Sequence, residues 1–93
     1  MRVERPEDAA GFLERTAALR AADPVRTNVL GSVALGVLQG RAYDEEHWFV
    51  VEDDDGVVVG AAIWTVPYRL LLAPMPAAAA DTLAEHVAAL PAR

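Results

Sequence analysis

The chain has no cysteine and no lysine among its 93 residues. The first absence excludes disulfides, thiolate metal sites and cysteine nucleophiles. The second makes every one of the eight basic residues an arginine. With the abundance of alanine, that bias follows GC-rich coding and carries no functional weight. Positive charge is also scarce: 14 acidic residues leave a net charge of −6. Phosphate backbones are bound by clustered cations, so this balance argues against a nucleic-acid partner. Long hydrophobic runs are missing as well. The longest uncharged stretches, Thr27 to Gly40 and Gly56 to Tyr68, fall short of the roughly 18 residues of a membrane span, so no membrane partner is expected. The N-terminus, Met1-Arg-Val-Glu-Arg-Pro-Glu-Asp, is charged throughout and unlike a secretory signal. A soluble cytoplasmic protein is expected. Apolar residues make up 54% of the chain, enough to reject disorder, and the length suits one domain spanning residues 1–93.

The stretch from His47 to Ala73 organises the rest. His47-Trp-Phe-Val-Val-Glu, Val57-Val-Val-Gly-Ala-Ala-Ile-Trp-Thr65 and Tyr68-Arg-Leu-Leu-Leu-Ala73 are rich in β-branched, aromatic and aliphatic residues and are separated by turn chemistry. This is the pattern of an antiparallel meander. Gly56 closes the first connection with the positive φ a tight hairpin uses. Pro67, which has no N–H for a ladder, marks the second corner. Trp48 and Val50 are apolar on one face, Phe49 and Val51 on the other. Strict alternation likewise puts Val57, Val59, Ala61 and Ile63 opposite Val58, Ala62 and Trp64. Both faces of this sheet are therefore covered.

Arg2 to Arg5 reads as a short edge strand anchored by Val3. Pro6 starts a helix over Pro6–Arg20, with Glu7 and Asp8 in its first turn complementing the dipole and Phe12, Leu13, Thr16, Ala17 and Leu19 on its apolar face. Asp23 is the N-cap and Pro24 the first residue of a second helix, Pro24–Gln39, with Gly40 at its C-terminus. Its Val25, Val29, Val33 and Val37 recur every four residues, and almost no charge follows Arg26. That helix is expected to be largely buried or packed against a partner. Arg41 to Glu46 is a polar loop. A third helix over Ala77–Leu90 carries Leu83, Val87 and Leu90 inward, with Ala79, Ala80 and Ala84 near them, turns Asp81, Glu85 and His86 to water, and ends at Pro91. The order β-α-α-β-β-β-α is an α/β (α+β) sandwich on a mainly antiparallel sheet with helices on both faces. A strand feeding a helix normally returns a parallel strand. The order ends before one, so the chain reads as part of a larger unit.

No catalytic constellation emerges. Asp53-Asp-Asp-Gly56 lacks the spacing of a calcium loop and reads as a solvated hairpin turn. Asp44-Glu45-Glu46 beside His47 has no second catalytic group. His47 and His86 share no metal-ligand spacing. Ser32, the lone serine, lies inside a helix without a nucleophile elbow. Gly31 and Gly36 are not followed by the residues of a phosphate loop and read as close helix–sheet packing. Tyr43, Trp64, Tyr68 and Arg69 are the candidates for facing a ligand, with core packing the competing reading for the tryptophan.

The element order, and above all Val58-Val-Gly-Ala-Ala-Ile-Trp-Thr-Val-Pro-Tyr-Arg-Leu-Leu-Leu-Ala73, resembles the N-terminal half of GNAT-superfamily acetyltransferases, the acyl-CoA N-acyltransferase fold. It is most similar to a bacterial group whose third strand closes with Thr-x-Pro-Tyr. Helices at Glu7–Arg20 and Pro24–Gln39 match that family's first two, and Ala77–Leu90 its third. The resemblance implies, for full-length relatives, transfer of acetyl from acetyl-CoA to an amine without metal. It also implies a cofactor loop of the form Gln/Arg-x-x-Gly-x-Gly/Ala, whose amides hold a pyrophosphate at a helix N-terminus. Here that place is taken by Ala73-Pro-Met-Pro-Ala-Ala-Ala-Ala80, which has no glycine and two prolines. The expectation is a non-catalytic region that holds no acetyl-CoA by itself, with no catalytic, cofactor-binding or metal residue of its own. Its partner would be a C-terminal catalytic half or a second copy bound through Tyr68–Ala73. The alternative is a stand-alone interaction module pairing through the same open sheet edge.

Overall fold

Two glycine-dependent turns and one proline corner shape the chain, whose computed structural model describes residues 1–90. The long hairpin joins β2 (Glu45–Glu52) to β3 (Val58–Val66). Its turn is held by Asp53, whose Oδ1 accepts from the N–H groups of Asp55 (2.9 Å) and Val57 (3.0 Å), while Gly56 takes φ +81°. The acidic run is therefore turn chemistry. The strand β1 (Arg2–Glu4) pairs antiparallel with β2, and β4 (Leu71–Leu72) pairs antiparallel with β3, giving the order β1-β2-β3-β4. The last strand is shorter than Tyr68–Ala73. The Val66–Pro67 bond is cis and the Tyr68 N–H donates to the Thr65 carbonyl (2.7 Å), so the corner takes up residues 67–70. Pairing then runs one residue past β4, where the Ala73 N–H donates to Ala61 O (2.9 Å).

The helices flank this sheet. On one face α1 (Ala9–Arg15), α2 (Ala17–Ala22) and α3 (Asn28–Leu38) cover Trp48, Val50, Ala61 and Ile63, with Phe12, Leu30 and Ala34 packed among them. On the other, α4 (Ala77–Ala88) sets Ala79 and Leu83 against Phe49, Val51 and Ala62. This is an α+β fold with both sheet faces occupied. The proposed end of α4 at Pro91 lies outside the described residues.

Several local expectations are corrected. The first helix starts at Ala9, not Pro6, because the Asp8 carboxylate caps it by accepting from the Gly11 N–H (2.8 Å). It is also kinked: the Thr16 hydroxyl donates back to Phe12 O (2.8 Å), a competition with the backbone that bends helices. Arg20 bridges the break, donating to Leu13 O (2.9 Å) and Thr16 Oγ1 (3.1 Å). The second long helix begins at Asn28, since residues 24–27 form a separate turn tied to Asp23 by Arg26 and Thr27. Its valine series is not the buried face. Val25 is 84% exposed and Val29 is exposed too, while Leu30 and Ala34 point inward and Val33 and Val37 pack at the margin. In α4, Ala84 is exposed and His86 is half-buried.

The alternation in β3 also breaks. Val51 pairs with Gly60 but Glu52 pairs with Val58, so Val59 is the extra residue of a β-bulge. Val58 therefore joins Ala61 and Ile63, and Val59 joins Ala62, the reverse of strict alternation. Gly60 is where the segment leading into α4 crosses the sheet: a Cβ there would lie 2.9 Å from Met75 Sδ and 3.2 Å from Met75 Cβ. Gly60→Ala is expected to cost about 1–3 kcal/mol by overpacking. Adding Met75→Ala should recover part of that loss in a urea-denaturation double-mutant cycle.

Candidate functional site: a cleft at the proline corner

The C-terminus of α3 sets one wall of the main cleft. Gly40, at φ +111°, ends the helix in a Schellman turn: its N–H donates to Val37 O (3.0 Å) and the Arg41 N–H donates to Gly36 O (2.9 Å). This reversal brings the Arg41 stem to within 3.9 Å of the position a Gly36 Cβ would take. Gly40→Ala places a side chain in the left-handed region. It is expected to cost about 1–2 kcal/mol in a urea titration and to misplace Arg41.

Facing that wall is the Thr65–Tyr68 corner. Between them opens a cleft of about 860 Å³ lined by Arg41, Tyr43, Asp44, Thr65, Tyr68 and Arg69, with apolar Val33 and Leu71. The tyrosine rings meet edge to face, centroids 5.8 Å apart at 89°, an arrangement favoured by the ring quadrupole. Three of the four candidate ligand-facing residues, Tyr43, Tyr68 and Arg69, thus come together. Trp64 does not join them. It packs with the Phe49 and Ala62 cluster beneath α4, and its Nε1–H donates to Tyr68 O (3.1 Å), fastening the corner. Arg41 was not a candidate from the sequence, and Asp44 was weighed there only as part of the acidic run beside His47. The glycine cap immediately before Arg41 was the available signal.

A second cluster gathers on the α4 side. The Arg5 guanidinium lies 4.5 Å over the Phe49 ring and donates to His47 Nδ1 (3.0 Å) and His86 Nε2 (3.5 Å). With Nδ1 accepting, His47 carries its proton on Nε2 and donates to Glu45 Oε1 (3.0 Å). Burial against the ring pulls the Arg5 pKa down. The two histidines, far apart in sequence, thus meet around a cation, the opposite of a metal-binding arrangement. Among the described residues no group of three His, Asp or Glu side chains is placed to hold a metal ion. Ser32 is exposed on α3.

No protein-family model, curated protein or solved structure matches this chain. Among the described residues no helix is long and apolar enough to cross a membrane.

Proposed function

We propose that this chain is a non-catalytic region of the GNAT acetyltransferase type, completed along β4 by a strand from a catalytic half or from a second copy. The observation that carries this reading is the free outer edge of β4. Among the described residues that strand pairs only with β3 and ends the sheet, and Leu72 beside Ala62 is 55% exposed. An apolar edge with unpaired N–H and C=O groups is a template for another strand. The element order, with α1 to α3 on one face and α4 on the other, supports the likeness to the N-terminal half of those enzymes. Full-length proteins of that kind would transfer acetyl from acetyl-CoA to an amine. In this chain Pro74, Met75 and Pro76 lead into α4, and Pro76 supplies neither an N–H nor a side-chain cap there. The stand-alone interaction module rests on the same edge and needs no acetyl-CoA at any stage.

Two measurements test the proposal. Calorimetric titration of the chain is expected to show no saturable heat at micromolar acetyl-CoA; tight stoichiometric binding would overturn the non-catalytic assignment. Sedimentation at micromolar concentration should show self-association that Leu72→Lys abolishes. Leu72 is the position to change because Leu71 packs towards α1 and α3. A strictly monomeric wild type would remove edge pairing from the account.

A further inference from the structure

Seven of the arginines fall within the described residues, and five of them are engaged. Arg2 and Arg15 hold the Glu52 carboxylate, Arg5 covers Phe49, Arg20 spans the α1–α2 kink, and Arg26 pairs with Asp23. The side chains of Arg41 and Arg69 make no hydrogen bond or ion pair among the described residues, and both line the corner cleft. In a protein of net charge −6, unneutralised cations have carboxylates available nearly everywhere. Two left free around one opening keep their donors for something outside the chain.

The rest of the wall narrows the chemistry. Thr65 is 3% exposed and its hydroxyl has no partner in the described chain. Among the described residues no side-chain nitrogen or oxygen is both buried and unpartnered, so that hydroxyl reaches solvent, and Thr65 lines the cleft. Three of the nearby backbone amides are spent: Arg41 N–H on Gly36 O, Asp44 N–H on Val66 O (3.1 Å), Tyr68 N–H on Thr65 O. Phosphate sites draw on free backbone amides. This wall offers chiefly guanidinium and hydroxyl groups, and it carries the Asp44 carboxylate, which repels a dianion and attracts an ammonium. Tyr43 and Tyr68, the latter 65% exposed, supply aromatic surface. The cleft volume is within the usual range for small ligands.

We propose that the cleft binds a small aromatic zwitterion of the amino-acid type. Its carboxylate is taken by Arg41, Arg69 and Thr65, its ring by Tyr43 and Tyr68, and its ammonium by Asp44. This site touches β4 only through Leu71 and does not use its outer edge, so its failure leaves the acetyltransferase-type reading untouched.

The test is a titration of the isotope-labelled chain, followed by amide NMR shifts, with four probes: L-phenylalanine, 3-phenylpropanoate, 2-phenylethylamine and inorganic phosphate. L-phenylalanine should saturate, with shifts centred on residues 41–44 and 65–69. 3-Phenylpropanoate should bind about tenfold more weakly, the loss of one charge-assisted contact, and the other two weaker still. Arg41→Gln and Arg69→Gln should each weaken L-phenylalanine about tenfold, while Arg26→Gln, remote from the cleft, leaves it unchanged. Neither cleft arginine side chain has a partner among the described residues, so both variants should unfold at the wild-type urea midpoint, and lost affinity is then lost binding. Equal binding of all probes, tightest binding of phosphate, shifts centred elsewhere, or no saturation by L-phenylalanine would each overturn the proposal.

Discussion

Phe49→Ala is expected to remove about 3–5 kcal/mol of stability, the range for deleting a fully buried phenylalanine. A domain of this size has roughly 5–14 kcal/mol in total at 0.05–0.15 kcal/mol per residue. The variant should therefore melt well below wild type, by about 4–8 °C for each kcal/mol lost. The side chain is completely buried and three things rest on it. It belongs to the cluster that seats Ala79 and Leu83 of α4, its ring and that of His86 meet nearly at right angles with centroids 5.9 Å apart, and its face lies under Arg5. Phe49→Leu keeps most of the burial but loses the ring, so it should retain α4 while releasing Arg5. Urea denaturation compares the two. A loss below 1 kcal/mol for the alanine variant would mean that α4 is not seated as described.

Arg15→Ala should be the second most damaging change. Glu52 is 6% exposed beside the β-bulge, and its two oxygens are shared between Arg15 and Arg2. Removing one partner of a buried ion pair costs about 3–5 kcal/mol. Arg2 stays to compensate part of the charge but is mostly exposed, so a loss of about 2–3 kcal/mol is expected, below that range. Adding Glu52→Gln to Arg15→Ala removes the stranded charge and should restore part of the stability. If the double variant is less stable than Arg15→Ala alone, the damage comes from lost packing of the arginine stem rather than from a bare carboxylate.

These two residues show what local reading reaches. The meander, its two covered faces, the Gly56 turn, the Gly40 helix end and the Pro67 corner all follow from the conformational limits of a few residues, and they stand in the structure. What escaped depends on partners distant in sequence. The bulge that swaps Val58 and Val59 between faces arises where β2 and β3 pair, and nothing in either strand alone announces it. The period of four through Val25 and Val29 is a true helical repeat, yet which stripe turns inward is decided by the sheet, and it selected Leu30 and Ala34. His47 and His86 carry no shared spacing because they meet only when α4 crosses the sheet. At the cleft, Tyr43, Tyr68 and Arg69 were legible as residues flanking turns. Trp64 was separable by parity, since it shares its face with Ala62 and not with Thr65.

That placement gives Trp64 a use as an optical reporter. Its indole is bonded to the Tyr68 carbonyl, while the Tyr68 ring borders the cleft on the far side of the strand. A guest held by Tyr68 would disturb the indole's surroundings without touching it. The only other tryptophan, Trp48, is sealed against Phe12 at 5.3 Å and 3% exposed, so its emission is a steady background. Replacing Trp48 with phenylalanine would leave a single fluorophore wired to the proline corner, so that occupancy is read by its colour.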